Sequence, residues 1–525
     1  MIDAGGMIGG RCIFFHQRDN LKGGSLQYFD LNIFRIQEIF LSDSDDQTIS
    51  SFEYISDTGM VYVSMSTLKS PIRTDLYELT MMYVWFLSGT VNVRSCFDLF
   101  FRTCPFHGEY IVTAGIDDAL LFLQDARFSP EDIAYIRSLG LFHDAFLSWL
   151  SEWRFDGSVY AVPEGAVVFP GEPVLRVHGP IGSCQLVETA LLNLVNFPSL
   201  IATKASRICM VAGFDSVMEF GARRAQGPDG ALTASRAAYL GGCMGTSNLE
   251  AGKKFHIPVK GTHAHSYVMS YRRELDSFRR YAEVFPNTTI LLVDTYDTIR
   301  SGMVHAIEVG REMKQQGRIL AGVRLDSGDL LTLSKQARQM LDDAGLFETR
   351  IVASGDLDEY RIAELKRQGA PIDLFGVGTR LVTGHESPAI AGVYKLSSIE
   401  QSPGDSQMRM KVTDHTDKTS LPGIKQVYRS YDADGMMAGD CIELESAGAD
   451  LEGFVPLLSP ALKDGYIVRP IQPLDEIRKQ VITSLQTIPA EVVRIQNPER
   501  YPVSLGPALA DARKKTIEGY SGKTW

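Results

Sequence analysis

The sequence predicts an α/β protein in which a parallel sheet or βα barrel is joined to a second, mixed α/β module. Three observations carry this. Between residues 216 and 387, apolar strand-like runs alternate with helical stretches at the spacing of βα units, about 30 residues. Each run there ends in polar residues: EFGARR, GTHAHS, VDTYDT, VRLDSGD, ASGD and GVGT. On both sides of this region, short strand-like runs are punctuated by Gly and Pro instead of helices. In a βα barrel all strand ends fall on one face, where active sites are built. A purely structural barrel would not need Arg324, Asp326, Asp329 and Asp356 at its strand ends.

The totals set the class. A chain of 525 residues with 44% apolar content suffices for two or three domains with sizeable cores. A net charge of −12 argues against a general nucleic-acid binder or a ligand of acidic membranes. The seven cysteines are scattered without a CxxC, which favours a reducing compartment over a disulfide framework or structural zinc. No apolar run approaches the roughly 20 residues that span a bilayer, and the N-terminus lacks a basic segment followed by an apolar one. A cytosolic protein is expected.

Taken in order, residues 1–68 match the rest poorly. GGMIGG, KGGS and SDSDDQTISS are loop-like, around one expected amphipathic helix, FDLNIFRIQEIFL. Low order is expected there apart from that helix. TDLYELTMMYVWFL opens the ordered protein, with Thr74 as N-cap. RSCFDLFFRTCPFHGEYIVTAG reads as two strands about a Pro-Gly turn, followed by helices to Trp153. VYAVPEGAVVFPGEPVLRVHGP is a small β-rich module, and helices run from Gln185 to Gly213. Lys204 and Arg207, at i, i+3, read as a solvated pair or a phosphate contact. Strands are expected at 217–222, 256–260, 289–294, 319–324, 350–353 and 372–377. After about residue 392, VYKLSSIE, RMKVTD and KQVYRSYDADGMMAGDCIEL are β-like and suited to pair with the earlier strands. A helix, IRKQVITSLQTI, and an irregular tail close the chain. The expected domains are an extension, 1–68; a mixed α/β domain, 69–215 plus 388–480; a barrel-like catalytic domain, 216–387; and a tail, 481–525.

The stretch from Glu219 to Ser266 organises the rest. It brings Arg223, Arg224, Arg236, Lys260, His263 and His265 together with Gly241, Gly242, Gly245, Gly252 and Gly261, the composition of an anion site. The glycines of FGVGTRLVTG (375–384) follow a late strand, where backbone N–H groups can hold a phosphate. No P-loop, GxSxG or HExxH motif occurs. HAH at 263–265 has no Cys or His partner at nearby strand ends, so no protein metal site is expected. A histidine beside Arg and Asp strand ends suits phosphoryl or proton transfer.

TDLYELTM, EFGARRAQGPDGALTASRAAYLGG, GTHAHS, VDTYD, RLDSGDL, SGDL, FGVGT and KQVYRSYDADG, in this order, resemble the nicotinate phosphoribosyltransferase family. The resemblance runs from about residue 70 to about 440, with a similar tail, NPERYPVSL, beyond. It implies an irregular, TIM-like βα barrel packed on a mixed α/β domain built from N- and C-terminal segments. A homodimer with a shared active site is implied as well. The implied reaction is of the ATP-dependent ligase type. Nicotinate and 5-phosphoribosyl 1-diphosphate give nicotinate mononucleotide and diphosphate in NAD salvage, with ATP as co-substrate and Mg²⁺ accompanying the phosphates. By motif, His265 would be the phosphorylated histidine, and Thr262 would line its pocket. Asp294 and Asp326 would orient His265 and place the phosphates, unless they cap the following helices. Tyr77 and Phe220 would sandwich the pyridine, with Tyr77 reaching across the dimer. Arg223 and Arg324 would hold carboxylate or phosphate. Gly355 would line the substrate site, and Gly378 and Thr379 would bind the 5-phosphate. His263 receives no role.

Related nicotinamide enzymes carry an acid in the segment matching MGTSN, where this chain has Ser247. An acid would repel the carboxylate of nicotinate; serine does not. The alternatives are a nicotinamide phosphoribosyltransferase and a catalytically inactive barrel serving as a binding or scaffold subunit. A quinolinate enzyme fits less well, because its reaction decarboxylates and has no phosphohistidine. Deleting residues 1–68 is expected to leave nicotinate mononucleotide formation intact. A truncated chain that stays soluble but makes no product would refute this.

Overall fold

The computed structural model describes residues 70–402, 404–412 and 420–521, together with the backbone of short strands between Gly5 and Tyr62. The chain divides into two units, residues 1–63 and 64–525. In the first, Gly5–Ile8, Arg11–Gln17, Gly24–Phe29 and Glu38–Phe40 pair antiparallel in chain order, and Tyr54–Ile55 pairs with Val61–Tyr62. The aromatic and branched residues of RCIFFHQ and GSLQYF favour strand, where low order was expected. Phe29 and Glu38–Phe40 are strand, not the expected helix. Residues 30–37 of that helix, and SDSDDQTISS at 42–51, lie outside the described residues.

The second unit holds a seven-stranded antiparallel sheet. Its order is Ser406–Met408, Gly392–Glu400, Arg94–Phe101, Pro173–Pro180, Ser158–Ala161, Ser459–Lys463, Tyr466–Ile467. Segments from before residue 216 and after residue 388 thus share one sheet. The expected hairpin at 94–115 does not form. Phe106 and His107 adopt positive φ and turn the chain, so that Ile111–Val112 pairs with Val167–Val168. In place of RMKVTD, the strand falls at Ser406–Met408, and residues 413–414 of that motif lie outside the described residues.

The region after 216 forms a six-stranded parallel sheet: Gly245–Thr246, Val217–Glu219, Leu374–Val377, Arg350–Ser354, Gly322–Leu325, Ile290–Leu292. Helices Gly227–Leu240, Met303–Gln315, Leu330–Asp343 and Glu359–Arg367 lie between its strands in sequence. Among the described residues this sheet is open, so the parallel α/β arrangement is present while the expected irregular, TIM-like barrel is not confirmed. The strand expected at 256–260 supplies only one bridge, Thr246 to Val259. Pro258 has no N–H to donate, and its carbonyl accepts from Thr246 N at 3.1 Å. The chain then leaves as coil through Gly261–Ala264 into the helix His265–Met269, and Gly245–Thr246 takes the edge instead.

A third sheet joins Val455–Pro456, Lys425–Tyr431, Met437–Leu444 and Val503–Leu505. The first hairpin turns at DADG as expected. The tail after Leu474–Gln486 is less irregular than expected. Val503–Leu505 pairs parallel with Met437–Leu444, and Glu443 accepts from Ala508 N and Leu509 N at 3.1 and 2.7 Å, capping the helix Pro507–Ser521.

Lys204 and Arg207 are neither solvated nor free for a phosphate. Both side chains are buried in the helix Glu188–Ala212, and both pair with buried Glu359, at 2.7 and 2.9 Å. Lys204 also lies over the Phe106 ring. The cluster fastens this long helix to the helix after Arg350–Ser354. Glu359→Ala would leave two buried cations without their counterion. It is expected to lower stability by about 3–5 kcal/mol in denaturant unfolding, with Glu359→Gln, which keeps a hydrogen-bond acceptor, losing less. Equal stability of Glu359→Ala and wild type would show that the cluster does not hold the two helices.

Candidate active site

Because the six strands are parallel, their carboxyl ends arrive along one edge. At the first, Val217–Glu219 runs into Phe220, Gly221 and a tight 3₁₀ turn, Ala222–Arg224, that leaves Arg223 and Arg224 exposed. The turn is held by Glu219, which is fully buried. Its carboxylate accepts from Gly221 N, from Ser235 Oγ at 2.8 Å and from Thr246 Oγ1 at 2.5 Å. Sequence reasoning missed Glu219; an acid closing the short apolar strand VME was the available signal. The Phe220 ring lies against Gly376, where an added Cβ would come within 2.4 Å of it.

The centre of the edge is built from GTHAHS, VDTYD and RLDSGD. His265 starts a short helix, with Nδ1 3.2 Å from Thr295 Oγ1 and Nε2 3.8 Å from Asp326 Oδ2. Asp326 Oδ1 accepts from Ser354 Oγ. No hydrogen bond or ion pair joins Asp294 to His265. Its Oδ2 accepts from Ser327 Oγ at 2.5 Å and from Asp326 N at 3.2 Å, while Oδ1 is buried with no hydrogen-bond partner. Neither acid caps a helix, since Asp297 and Asp329 do that work. Each D-x-x-D segment thus turns its first acid to the site and its second to the helix behind it.

Arg324 donates from Nη2 to His263 O at 3.2 Å, and its Nε is buried without a hydrogen-bond partner. Burial pulls its guanidinium below the ordinary arginine value; Asp326 and Asp294 oppose this, and Arg223 adds repulsion. Two like charges facing one edge, beside an unpartnered carboxylate oxygen, suit a ligand carrying both anionic groups and a cation. Thr262 is half-buried beside them, donating to His263 O. At the later strands, Gly355 has φ +89°, and an added Cβ would meet Asp326 O at 2.1 Å. Gly378 and Thr379 open a short turn after Leu374–Val377, and Gly378 O accepts from Leu381 N and Val382 N. Arg380 in that turn is tied to Asp358 at 2.6 Å.

Other expected residues lie elsewhere. Tyr77 sits on the helix Leu76–Leu87, 44% exposed, with Glu78, Glu188 and Thr189 as its neighbours. No contact among the described residues joins it to His265. Thr74 does not cap that helix; Asp75 holds the cap position, and Thr74 donates to Glu78. Arg236 is committed to Glu164 at 2.8 Å and is no part of an anion site. Ser247 is exposed and follows the edge strand, its N–H donating to Glu219 O. No group of three or more His, Cys, Asp or Glu that could hold a metal occurs among the described residues.

His263 is a packed core residue, among Tyr267, Phe278 and Tyr281, with Nε2 accepting from Leu292 N. Burial holds its imidazole down, to about 4, from an ordinary 6.5. The neutral form is therefore built into the fold. Its contribution is complete above pH 6.5 and is lost as pH falls through 4, since the unfolded chain takes the proton first. His263→Met is expected to flatten the dependence of stability on pH between 6.5 and 4. Unchanged slopes for both proteins would show that His263 titrates normally.

Three family models match the chain: the nicotinate phosphoribosyltransferase N-terminal domain over residues 72–196, the family itself over 216–420, and the C-terminal domain over 452–513. The nicotinate phosphoribosyltransferase of Bacillus subtilis is 40% identical over 455 residues, covering 83% of this chain and 92% of its own. The human enzyme of that name is 33% identical, covering 84% and 95%. A crystal structure of human nicotinic acid phosphoribosyltransferase superposes with a TM-score of 0.73 at 31% identity, over 85% of this chain and 99% of that one. A Pyrococcus furiosus structure described as nicotinate-nucleotide pyrophosphorylase follows with 0.64 at 25% identity, over 79% and 95%. The chain belongs to the nicotinate phosphoribosyltransferase family.

Proposed function

We propose that this chain joins nicotinate to 5-phosphoribosyl 1-diphosphate, forming nicotinate mononucleotide and diphosphate in NAD salvage, and that ATP drives the reaction through a phosphohistidine at His265. The supporting observation is the placement of His265 between Thr295 and Asp326, at the edge where Arg324 Nε and Asp294 Oδ1 have no hydrogen-bond partner. As the pyridine nitrogen bonds to the anomeric carbon and the bond to diphosphate breaks, positive charge grows on the ribose and negative charge on the leaving group. Arg223 and Arg324 stabilise the anionic side. Asp326, facing Nε2, orients the imidazole so that the other nitrogen can accept a phosphoryl group. Thr262 and Gly355 line the same pocket, Phe220 and Tyr77 hold the pyridine ring, and Gly378 with Thr379 takes the 5-phosphate.

Mg²⁺ fits this donor set. Asp294 Oδ1 is a carboxylate oxygen left without a hydrogen-bond partner, and Mg²⁺ takes one or two carboxylates with the rest from phosphates and water. When bound, it neutralises charge on the diphosphate. Tyr77 would act in the partner of a homodimer. Leu76, Tyr77, Val84 and Leu87 are exposed on one helix, which suits a subunit contact.

Ser247 supports nicotinate over nicotinamide. The buried acid beside it, Glu219, already accepts from Gly221, Ser235 and Thr246, so it does not stand open to a carboxamide. The test is nicotinate mononucleotide formation with and without ATP in wild type and His265→Ala. Stimulation by ATP in wild type, lost in the variant, is the expected outcome. Product from nicotinamide instead would overturn the reading of Ser247, and no product from either base would favour the scaffold alternative.

A further inference from the structure

The His265 ring is held from both sides, and the two partners differ in kind. Nε2 lies 3.8 Å from Asp326 Oδ2, and a carboxylate, which only accepts hydrogen bonds, favours the tautomer with the hydrogen on that nitrogen. Nδ1 is then left with its lone pair, toward which the Thr295 hydroxyl can donate at 3.2 Å. Asp326 is itself fixed, by Ser354 Oγ on Oδ1 and by its own N–H donating to Asp294 Oδ2. Thr295 lies between two anchored residues. Val293 N donates to Arg324 O at 3.2 Å, and Asp297 caps the turn that follows. The histidine side chain remains 40% exposed, so a ligand can reach the ring.

We propose that Thr295 is the positioning residue for phosphoryl transfer to His265, its hydroxyl aiming the Nδ1 lone pair and then donating to a phosphoryl oxygen. This rests on the reading of His265 as the phosphoryl acceptor. In the step, the Nδ1 lone pair forms a bond to the γ-phosphorus of ATP. The bond from that phosphorus to the bridging oxygen breaks, and its electron pair leaves on ADP. The ring hydrogen stays on Nε2, facing Asp326. The Thr295 hydroxyl loses its lone-pair acceptor as the new bond forms, and the arriving phosphoryl oxygens replace it. A hydroxyl is required; the threonine methyl is not.

The test uses the full chain as wild type, Thr295→Val and Thr295→Ser. Single-turnover labelling from γ-³²P-ATP gives the rate of phosphoenzyme formation, and ³¹P NMR of the labelled protein identifies the nitrogen that carries phosphorus. Thr295→Val, which keeps the shape and loses the hydroxyl, is expected to form phosphoenzyme about 10- to 100-fold more slowly, the factor for one hydrogen bond to a charged group. Thr295→Ser should recover the rate to within a few-fold, with phosphorus on Nδ1 in both wild type and Thr295→Ser. The inference is overturned by a Thr295→Val rate equal to wild type, by a Thr295→Ser rate as slow as Thr295→Val, or by phosphorus on Nε2. Those outcomes leave the phosphohistidine reading standing. A wild type that takes no label overturns that reading and this inference together.

Discussion

Parallel pairing is the constraint on which the site depends. Backbone hydrogen bonds between Val217–Glu219, Leu374–Val377, Arg350–Ser354, Gly322–Leu325 and Ile290–Leu292 force the last residue of each strand to one edge of the sheet. Residues far apart in the chain then become neighbours with no further device. Ser354 reaches Asp326, Asp326 meets Asp294, and Arg324 meets the carbonyl of His263. The close approach of Gly355 to Asp326 O shows how tightly adjacent strand ends are packed, since a side chain there would collide with backbone.

The distribution of charge follows from that packing. Away from the edge, buried ions are neutralised within the protein: Lys204 and Arg207 by Glu359, Lys425 by Asp98, and Arg429 by Asp440. These pairs tie together elements distant in sequence, and each would be expensive to break from one side. At the edge, Arg324 Nε and Asp294 Oδ1 end without a hydrogen bond. Unlike those pairs, neither Arg324 nor Asp294 has an ion-pair partner among the described residues, and both lie beside His265, which suits a site for a charged ligand.

Two buried acids show how the scaffold steadies this edge from a distance. Glu219 gathers the Gly221 turn, Ser235 and Thr246 around one carboxylate, fixing the segment that carries Phe220, Arg223 and Ser247. Glu443 does the same for the tail, capping a helix that begins well over fifty residues later. Both act as local order imposed by non-local partners.

Much of this was legible from the sequence alone. Alternating strand and helix patterns are local, set by side-chain periodicity, and they located five of the six parallel strands and the helices between them. The polar residues His265, Asp294, Arg324 and Asp326, at or just beyond the apolar runs, were equally plain, because a buried strand has little use for such residues except near its end. What the sequence could not decide depended on partners brought together through space. In DTYD and DSGD it did not separate the acid that faces the site from the acid that caps the helix. Nor did it show that Lys204 and Arg207 share Glu359, that Thr295 holds the ring of His265, or that Gly245–Thr246 displaces 256–260 as a strand. Pro258 carried the signal for the last of these, but its missing donor mattered only once Thr246 stood opposite it. Periodicity reports which face of an element is buried; only the tertiary structure decides against what.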